Sequence, residues 1–261
     1  MQSKNEYSEQ PEVFANISEF WSIQLNNEIY LRNHKNVVRG SKRYFDIILS
    51  ARKKYLYYLD DIISYLKGSP SRYLLEVGCG MGTDALVLAR EKFHVTGIDL
   101  APGHLKLAER LFNLYHESGV FLYGNAEKIC FSNQTFGCVY SLGVLHHTPD
   151  TQKAIKEIYR VLIPGGRAVI MLYNKLSLNN FAHWITRRGF ENAKGQTDAP
   201  VTQRFSKREI FAMCSNFQSC NISIEYLFGA GWGKFYDFMP KFIYRFLSKW
   251  IGWHLVIYLQ K

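Results

Sequence analysis

Residues 74–84 read LLEVGCGMGTD, an apolar run that leads directly into three alternating glycines. Glycine lacks a Cβ atom, so the backbone at Gly78, Gly80 and Gly82 can bend sharply and approach a bound molecule closely. An apolar strand followed by a glycine turn and a helix is typical of doubly wound α/β sheets, which bind ligands at the carboxyl ends of their strands. We therefore expect a ligand-binding loop at this turn.

The spacing of these glycines bears on the class of ligand. Dinucleotide sites favour the pattern G-x-G-x-x-G, in which a helix N-terminus meets a pyrophosphate. Here the pattern is G-x-G-x-G, and Thr83 stands where the third dinucleotide glycine belongs. The carboxylate of Glu76, two positions before the first glycine, would sit poorly beside a pyrophosphate. This carboxylate suits a cationic ligand with an amino group. The loop therefore favours such a ligand over a dinucleotide.

Apolar patterning on both sides of this loop predicts strands that alternate with helices. The predicted strands cover residues 72–77, 94–100, 120–124, 138–142, 167–173, 221–228 and 253–260, and the clearest helices cover 44–67, 83–92, 102–118, 151–162 and 234–250. We expect Gly119 to stop the helix that begins at Pro102. Such alternation predicts an α/β fold with a parallel sheet and helices on both faces. The predicted organisation is an N-terminal helical segment that covers the site (1–70), a ligand-binding core (71–174), a lid insertion (175–218), and C-terminal strands and a helix that complete the sheet (219–261).

Three further strand ends carry residues suited to one ligand. Asp99 ends the second strand, 23 residues after Glu76, where an acid can accept both hydroxyls of an adenosine ribose or, alternatively, cap the next helix. Asn125 follows the third strand and could pair with an adenine edge or form a turn. The fourth strand leads into His146 and His147. Because these strand ends follow one another in order, the sequence predicts an adenosine-containing ligand across them.

The composition limits the remaining possibilities. Hydrophobic residues make up 47% of the chain, enough for a sizeable core, and neither a signal peptide nor a membrane-spanning segment is predicted. The five cysteines are scattered and show neither a disulfide framework nor a zinc pattern, so we expect a reducing cytoplasm and no metal. The net charge of +10 could attract an anionic partner, but no nucleic-acid motif accompanies it and no nucleic-acid partner is expected.

Together these motifs resemble those of class I S-adenosylmethionine-dependent methyltransferases, most nearly the small-molecule and ubiquinone-biosynthesis branch. The resemblance is carried by residues 76–84, 96–100, 124–127, 143–150 and 160–166. It implies a Rossmann-like, doubly wound, mostly parallel seven-stranded sheet with its last strand antiparallel. It also implies S-adenosyl-L-methionine as the cofactor and S-adenosyl-L-homocysteine as the product.

The resemblance assigns roles to particular positions. The glycine loop would contact the methionine part, Asp99 the ribose hydroxyls and Leu100 the adenine. Asn125 stands where the family more often has Asp, and Phe136-Gly137 stands where the family often has Phe-Asp. The full predicted cofactor-binding set is Glu76, Gly78, Cys79, Gly80, Gly82, Asp99, Leu100, Asn125, Ala126, Glu127 and Leu142.

The two adjacent histidines offer a catalytic base. Methyl transfer to a hydroxyl requires the removal of a proton, and histidine titrates near neutral pH. His146 and His147 follow the fourth strand, where the resemblance places the substrate and where related small-molecule O-methyltransferases carry a histidine base. Alternatively, one of them packs or caps the next helix. Candidate substrate contacts, most of which core packing explains equally well, are Tyr30, Tyr44, Tyr173, Trp184 and Trp232.

The methyl acceptor stays open at this level, and four hypotheses compete. The leading one is methylation of a hydroxyl or amino group of a small molecule, in natural-product or other secondary metabolism. The aromatic and basic segment 234–250 supports a second, methylation of a lipid or isoprenoid quinone with peripheral membrane contact. The third is a cofactor-binding protein without chemistry. RNA methylation is disfavoured because residues 143–147 read GVLHH instead of an Asn-Pro-Pro-Tyr-type motif. Whether the chain is a monomer or a homodimer is also open.

Overall fold

The computed structural model of the chain describes residues 11–23, 26–186, 199–228 and 235–261. The strands are β1 (Tyr73–Val77), β2 (His94–Asp99), β3 (Gly119–Tyr123), β4 (Phe136–Leu142), β5 (Leu162–Tyr173), β6 (Ser219–Glu225) and β7 (His254–Gln260). They form a seven-stranded sheet in the order β3-β2-β1-β4-β5-β7-β6. Strand β7 pairs antiparallel with β5 and β6, and the other pairs are parallel. The predicted doubly wound, mostly parallel sheet is confirmed.

Helices cover both faces of this sheet. Within the described residues they are α1 (Pro11–Ile23), α2 (Lys42–Tyr55), α3 (Leu59–Lys67), α4 (Thr83–Arg90), α5 (Pro102–Tyr115), α6 (Thr151–Val161), α7 (Leu178–Thr186), α8 (Lys207–Met213), α9 (Phe235–Phe238) and α10 (Lys241–Ile251). Short 3₁₀ helices lie at Asn26–Leu31 and Leu145–His147. None of these helices combines the length and the apolar character needed to cross a membrane.

Two apolar layers arise from the alternation of side chains along each strand. On one face Leu74 packs in a cluster with residues of α2, α3, α4 and α5. On the other face its neighbour Leu75 packs with residues of α6 and α8. The sheet is therefore rigidly held on both sides, and its carboxyl edge is left to carry loops.

The strand order reverses at β1, which pairs with β2 on one side and β4 on the other. In doubly wound sheets a crevice opens outside the carboxyl ends of the strands at such a switch point. The glycine loop follows β1 at this point, and Asp99 ends the neighbouring strand β2. The fold therefore places the predicted ligand residues at the crevice.

The single helix predicted over 44–67 is wrong, because the structure divides it into α2 and α3. Between them Tyr58 turns its ring into the core, where it is 1% exposed and its hydroxyl lies 2.6 Å from Nδ1 of His254. Its neighbour Tyr57 donates a hydrogen bond of 2.7 Å to Glu225. Burial of Tyr58 and the hydrogen bond of the half-buried Tyr57 override the local helical periodicity.

Other predicted boundaries also differ, including the start of β5, at Leu162 where residue 167 was predicted, and the end of β6, at Glu225 where residue 228 was predicted. Helix α5 ends at Tyr115, because the next residue, His116, has a left-handed conformation with a φ of 56°. Gly119, which was predicted to stop this helix, is the first residue of β3. A Cβ at Gly119 would lie 2.7 Å from the ring of Phe112, so this glycine serves packing rather than helix termination. The helix predicted over 234–250 is divided at Pro240, which cannot continue a helical hydrogen-bond ladder.

Candidate functional site

The glycine loop turns sharply away from β1. Gly78, Gly80 and Gly82 have φ values of 72°, 53° and 77°, a region that favours glycine. A Cβ at Gly78 would lie 2.3 Å from Val144, and a Cβ at Gly82 would lie 2.9 Å from Ala108, whereas nothing lies within 4 Å of a Cβ at Gly80. The outer glycines therefore allow close packing, and the central one faces open space that a ligand can fill.

Asp99 braces this loop from the next strand. Its carboxylate accepts hydrogen bonds of 2.8 Å from the backbone N–H groups of both Gly80 and Ala101. Ala101 directly precedes α5, so the alternative helix-capping role is present in the structure. A carboxylate has about four acceptor positions, which leaves capacity for ribose hydroxyls as well.

Glu76 lies beneath the loop and is 4% exposed. Its Oε2 atom has no hydrogen-bond partner among the described residues. Burial raises the pKa of this carboxyl well above its usual value, the charges of Asp84 and Asp99 raise it further, and Arg52 opposes them. A buried carboxyl with an unsatisfied oxygen is costly on its own and fits a ligand that brings an ammonium group.

The predicted adenine edge is only partly open to a ligand. The side-chain oxygen of Asn125 accepts a hydrogen bond of 2.8 Å from the N–H of Glu127, which is the turn role considered as the alternative. Glu127 is 2% exposed and accepts a hydrogen bond of 2.7 Å from the N–H of Asp150. Burial raises the pKa of Glu127. Its carboxylate thus connects this turn to the start of α6.

The remaining cofactor candidates divide into pocket and packing positions. Leu100 directly follows β2 and Leu142 ends β4, and both are half-buried. Ala126, in the turn after β3, is buried. Cys79 lies inside, with its sulfur 2.8 Å from the position of a Cβ on Gly97. The side chain of Cys79 is therefore a packing element of the loop.

The histidine turn follows β4 through Gly143, whose φ is 80°. His147 is 4% exposed, and its Nδ1 lies 2.7 Å from the carbonyl oxygen of Val201. A carbonyl can only accept, so Nδ1 carries the proton and the lone pair is on Nε2. In a neutral ring His147 therefore carries its lone pair on Nε2, a buried atom, which makes this residue a candidate base.

His146 occupies a different environment. It is fully buried, with its ring centroid 3.6 Å from that of Tyr173 and 4.2 Å from that of His147. Burial, followed by the proximity of His147 and His254, lowers its pKa well below the usual value. His146 is thus a neutral packing partner of the aromatic residues around it.

Further along the same edge, Tyr173, His254 and Tyr226 lie at the ends of β5, β7 and β6. His254 has two register partners, Tyr173 on β5 and Glu225 on β6, and Tyr226 directly follows Glu225. The ring of His254 stacks on Tyr226 at 4.2 Å and 5°. Burial and the charge of Arg52 lower the pKa of His254 to about 3. The side chains of Tyr173, His254 and Tyr226 therefore give this half of the edge an aromatic, uncharged lining.

Four tyrosines extend this aromatic region, and we call Tyr30, Tyr55, Tyr226 and Tyr236 the tyrosine cluster. Tyr30 stacks on Tyr55 at 5.5 Å, and Tyr55 lies 4.7 Å from Tyr236. Burial raises the pKa values of Tyr30 and Tyr226, and the neighbouring tyrosines contribute to both shifts. Tyr226 has a φ of 62°, which is strained for a non-glycine residue and is typical of functional positions.

The structure brings only some of the predicted substrate residues to this place. Tyr30 and Tyr173 lie there, whereas Tyr44 faces the core beside Phe45 and donates a hydrogen bond of 2.8 Å to Glu28. Trp184 is 77% exposed on α7, and Trp232 lies outside the described residues. Tyr55, Tyr226, Tyr236 and His254 were missed. Tyr226 directly follows β6, but the predicted strand 221–228 placed it inside the strand and so concealed its position at the strand end.

A buried ion pair fixes the N-terminal helices to the site. Arg52 of α2 donates two hydrogen bonds to Asp84 of α4, and the Nε–Oδ1 distance is 2.6 Å. Tyr140 donates a third hydrogen bond of 2.8 Å to the same carboxylate. Burial lowers the pKa of Arg52, but the charge of Asp84 more than offsets this and raises it overall. The glycine loop is thus held from α2, α4 and β4.

Helix α1 lies across the turns that follow β2 and β4. Ser18 donates a hydrogen bond of 2.6 Å to the carbonyl oxygen of Leu100. One turn later, the ring of Trp21 lies 4.9 Å from that of His147. The helix therefore runs from the predicted adenine side to the histidine turn.

The central part of the chain is similar to known proteins. Residues 75–170 match a family described as a methyltransferase domain. Phosphoethanolamine N-methyltransferase 2 of Caenorhabditis elegans is 35% identical over 108 residues, which cover 41% of this chain and 25% of that protein. The ubiquinone biosynthesis O-methyltransferase of Alkalilimnicola ehrlichii is 34% identical over 119 residues, which cover 45% of this chain and 48% of that protein. The matched part thus spans between a quarter and half of these relatives.

The fold has counterparts among solved structures. A geranyl diphosphate methyltransferase in complex with GPP and sinefungin aligns with a TM-score of 0.62, covering 95% of this chain and 99% of that one. The two sequences are 14% identical, so the similarity shows a shared Rossmann-like fold.

Proposed function

We propose that this chain is a class I S-adenosylmethionine-dependent methyltransferase that transfers a methyl group to a hydroxyl or amino group of a small molecule, in line with its match to a methyltransferase domain family. The observation that carries the proposal is the unsatisfied carboxyl oxygen of Glu76 beneath a glycine turn whose central residue faces open space. A ligand with an ammonium group and a backbone-contacting chain fits both features. Oxygen or nitrogen methylation in natural-product or other secondary metabolism is the form we favour.

The residues at the first strand ends fit the cofactor. Glu76 would hold its amino group, the backbone at Gly80 its methionine part, and Asp99 the ribose hydroxyls. Leu100 and Ala126 offer apolar contact to the adenine. When bound, S-adenosylmethionine supplies an electrophilic methyl group, so the protein mainly has to orient the acceptor and exclude water.

His147 supplies the base in this proposal. An acceptor hydroxyl would donate its proton to Nε2, the atom that carries the lone pair. The carbonyl of Val201 keeps accepting from Nδ1–H throughout, which orients the ring and stabilises the imidazolium that forms. His146, whose pKa is lowered well below its usual value by burial, stays neutral and supports the position of Tyr173 and His147.

The acceptor would occupy the aromatic half of the edge. Tyr173, His254 and the tyrosine cluster offer flat, uncharged surfaces that suit an apolar or aromatic body. The exposed ammonium groups of Lys54 and Lys241 lie within 5.5 Å of the ring centroids of cluster tyrosines, at 5.4 Å from Tyr55 and 5.0 Å from Tyr236. They favour an acceptor that also carries an acidic group. Helix α1 and residues 199–205 would exclude water from the reacting groups.

A second candidate is methylation of a lipid or isoprenoid quinone. It is favoured by the exposed aromatic residues of α10 and by the similarity to a ubiquinone biosynthesis O-methyltransferase. A non-catalytic cofactor-binding role is the third. The three candidate functions are distinguished by turnover: the first two predict methylation of different acceptors, and the third predicts no methylation.

The test combines cofactor binding with turnover. Calorimetry should detect S-adenosylmethionine binding, and S-adenosylhomocysteine release should identify an acceptor in a panel of phenols, amines, quinols and amphiphiles. With a hydroxyl acceptor, His147→Gln should bind the cofactor as the wild type does but lower kcat by about 10²- to 10⁴-fold. Absence of cofactor binding would overturn the whole proposal. Unchanged turnover in His147→Gln would overturn only the assignment of the base.

A further inference from the structure

The C-terminal helices expose large aromatic side chains to solvent. Phe238, Phe242, Phe246 and Trp250 are 81%, 75%, 62% and 70% exposed, and we call these four residues the aromatic face. They recur every four residues, and the last three lie within α10. Such contiguous exposure is unusual on a monomeric soluble surface, where it marks a site of protein or membrane contact.

The packing of α10 leaves this face unused by the fold. Tyr244 and Ser248 are 3% and 0% exposed and form the inward side of the helix. At 100° per residue, Phe242 and Phe246 point to the opposite side. Three of the four aromatic side chains therefore extend from the helix away from the core, and the core does not explain their size or chemistry.

A row of positive charge lies beside the aromatic face. Lys241, Arg245 and Lys249 are also spaced by four residues, on the flank of α10 between its inward and outward sides. The helix KFIYRFLSKWI contains no acidic residue. Helices that rest on membrane surfaces combine bulky aromatic and aliphatic side chains with adjacent lysines and arginines in this way.

A second set of exposed apolar residues lies on α7. Phe181, Trp184 and Ile185 are 57%, 77% and 59% exposed. Leu178 of the same helix packs against the small cluster that includes Tyr244 of α10. Helices α7 and α10 are therefore anchored on one cluster, and both carry exposed aromatic residues.

The geometry points to this surface as a docking site for an anionic lipid bilayer. Aromatic side chains would enter the interface between headgroups and acyl chains, and the basic row would contact the acidic headgroups. The charge of the chain, +10, has the sign that such a surface attracts. Docking itself does not depend on methyl transfer.

The docking surface is continuous with the proposed acceptor pocket. Tyr236 of α9 contacts Tyr55 of the tyrosine cluster on one side and Tyr244 of α10 on the other. A docked molecule would hold one wall of the pocket at the bilayer. If the proposed function holds, this favours an amphiphilic acceptor that reaches the pocket from the membrane.

Vesicle sedimentation tests the docking. We expect the wild-type chain to bind vesicles of phosphatidylcholine with about 30 mol% phosphatidylglycerol at least about tenfold more tightly than pure phosphatidylcholine, and less tightly as salt rises. The triple variant Phe242→Ser, Phe246→Ser, Trp250→Ser should lose most of the binding, and Lys249→Glu should weaken it about tenfold or more. The matched control is Tyr73→Ser, which changes an exposed aromatic residue at the amino-terminal end of β1, outside α7 and α10.

Three results would overturn the inference. The first is no binding of the wild type to either vesicle. The second is equal binding by the triple variant. The third is a concentration-dependent dimer in sedimentation velocity that the triple variant abolishes, which would assign the face to a second copy. Calorimetry of S-adenosylmethionine binding distinguishes a failure of docking from a failure of the proposed function. Each docking variant should bind S-adenosylmethionine as the wild type does.

Discussion

At the scale of single residues, Glu76 illustrates how burial and ligand chemistry are connected. A carboxyl group enclosed beneath the glycine loop, with Asp84 and Asp99 nearby, favours the protonated form in the absence of a cation. A bound ammonium group would reverse that preference, because it favours the ionised form. Glu76 therefore destabilises the site without a ligand and stabilises the site with a bound ammonium group.

This argument predicts that Glu76→Gln separates binding from stability. S-Adenosylmethionine binding should weaken by about 10- to 100-fold, while the free energy of unfolding stays the same or rises because a poorly satisfied carboxyl is removed. Isothermal calorimetry and urea unfolding measure the two quantities. In the wild type, binding should release protons as the pKa of Glu76 falls, and comparison of buffers with different ionisation enthalpies should reveal this release.

The exposed Glu91→Gln variant provides the control, since Glu91 forms a surface pair with Lys67 away from the loop. It should change neither cofactor affinity nor proton release. Equal affinity of Glu76→Gln and the wild type would show that the carboxyl does not contact the ligand.

The sequence predicted the chemical types of these residues better than their individual roles. Asp99 had two alternative roles, and the structure shows the capping contact to Ala101 together with the contact to Gly80. The histidine pair was predicted, but the tautomer of His147 depends on Val201, which is 54 positions later in the chain. Local patterns do not contain such long-range contacts.

At the scale of elements, the presence of each strand was predictable, whereas several ends of strands and helices were not. Short apolar runs located all seven strands, because central strands that are buried on both faces read as nearly continuous apolar stretches. The break between α2 and α3 depends on where Tyr57 and Tyr58 find partners, namely Glu225 and His254. Those partners lie in the last two strands, so periodicity within 44–67 could not reveal the break.

The Arg52–Asp84 pair carries a prediction at this scale, since it joins α2 to α4. Asp84→Asn should destabilise the fold by about 3–5 kcal/mol, because it removes the charge that compensates a largely buried guanidinium. Urea unfolding at neutral pH measures the loss. The exposed pair of Lys67 and Glu91 is the comparison, and Glu91→Gln should cost less than about 1 kcal/mol.

A double variant sharpens this test. Arg52→Met combined with Asp84→Asn should recover part of the loss of Asp84→Asn alone, since it removes the buried charge as well. If the double variant lost the sum of the two single effects, the pair would not couple the helices as argued.

At the scale of the whole molecule, the sheet topology divides one edge into two chemical halves. Strands β2, β1 and β4 end in glycines, acids and histidines, whereas β5, β7 and β6 end in Tyr173, His254 and Tyr226. The antiparallel β7 contributes its first residue where its neighbours contribute their last ones, so the edge is continuous. Cofactor and acceptor would therefore meet near the histidine turn, where the two halves join.

The aromatic half also sets a pH dependence for the stability of the molecule. His254 is buried and neutral, with its pKa lowered to about 3 by burial and by Arg52, whereas an unfolded histidine titrates near 6.5. Below about pH 6.5 His254 binds a proton in the unfolded state, whereas in the folded state it stays neutral until the pH approaches 3. Stability is therefore lost as the pH falls from about 6.5 toward 3, and the loss from this residue between pH 7 and pH 5 is about 2 kcal/mol.

The variant His254→Asn isolates this contribution. Groups that do not interact with His254, such as Glu76 with its raised pKa, shift stability with pH in both proteins and cancel in the comparison. Urea unfolding of both proteins at pH 8, 7, 6 and 5 should show a constant difference in the free energy of unfolding above about pH 7. Below that, the difference should shrink by about 2 kcal/mol toward pH 5, because only the wild type pays for keeping His254 neutral. A difference that stayed constant over the whole range would mean that His254 accepts a proton in the folded state, and the uncharged character of the acceptor half would then be wrong.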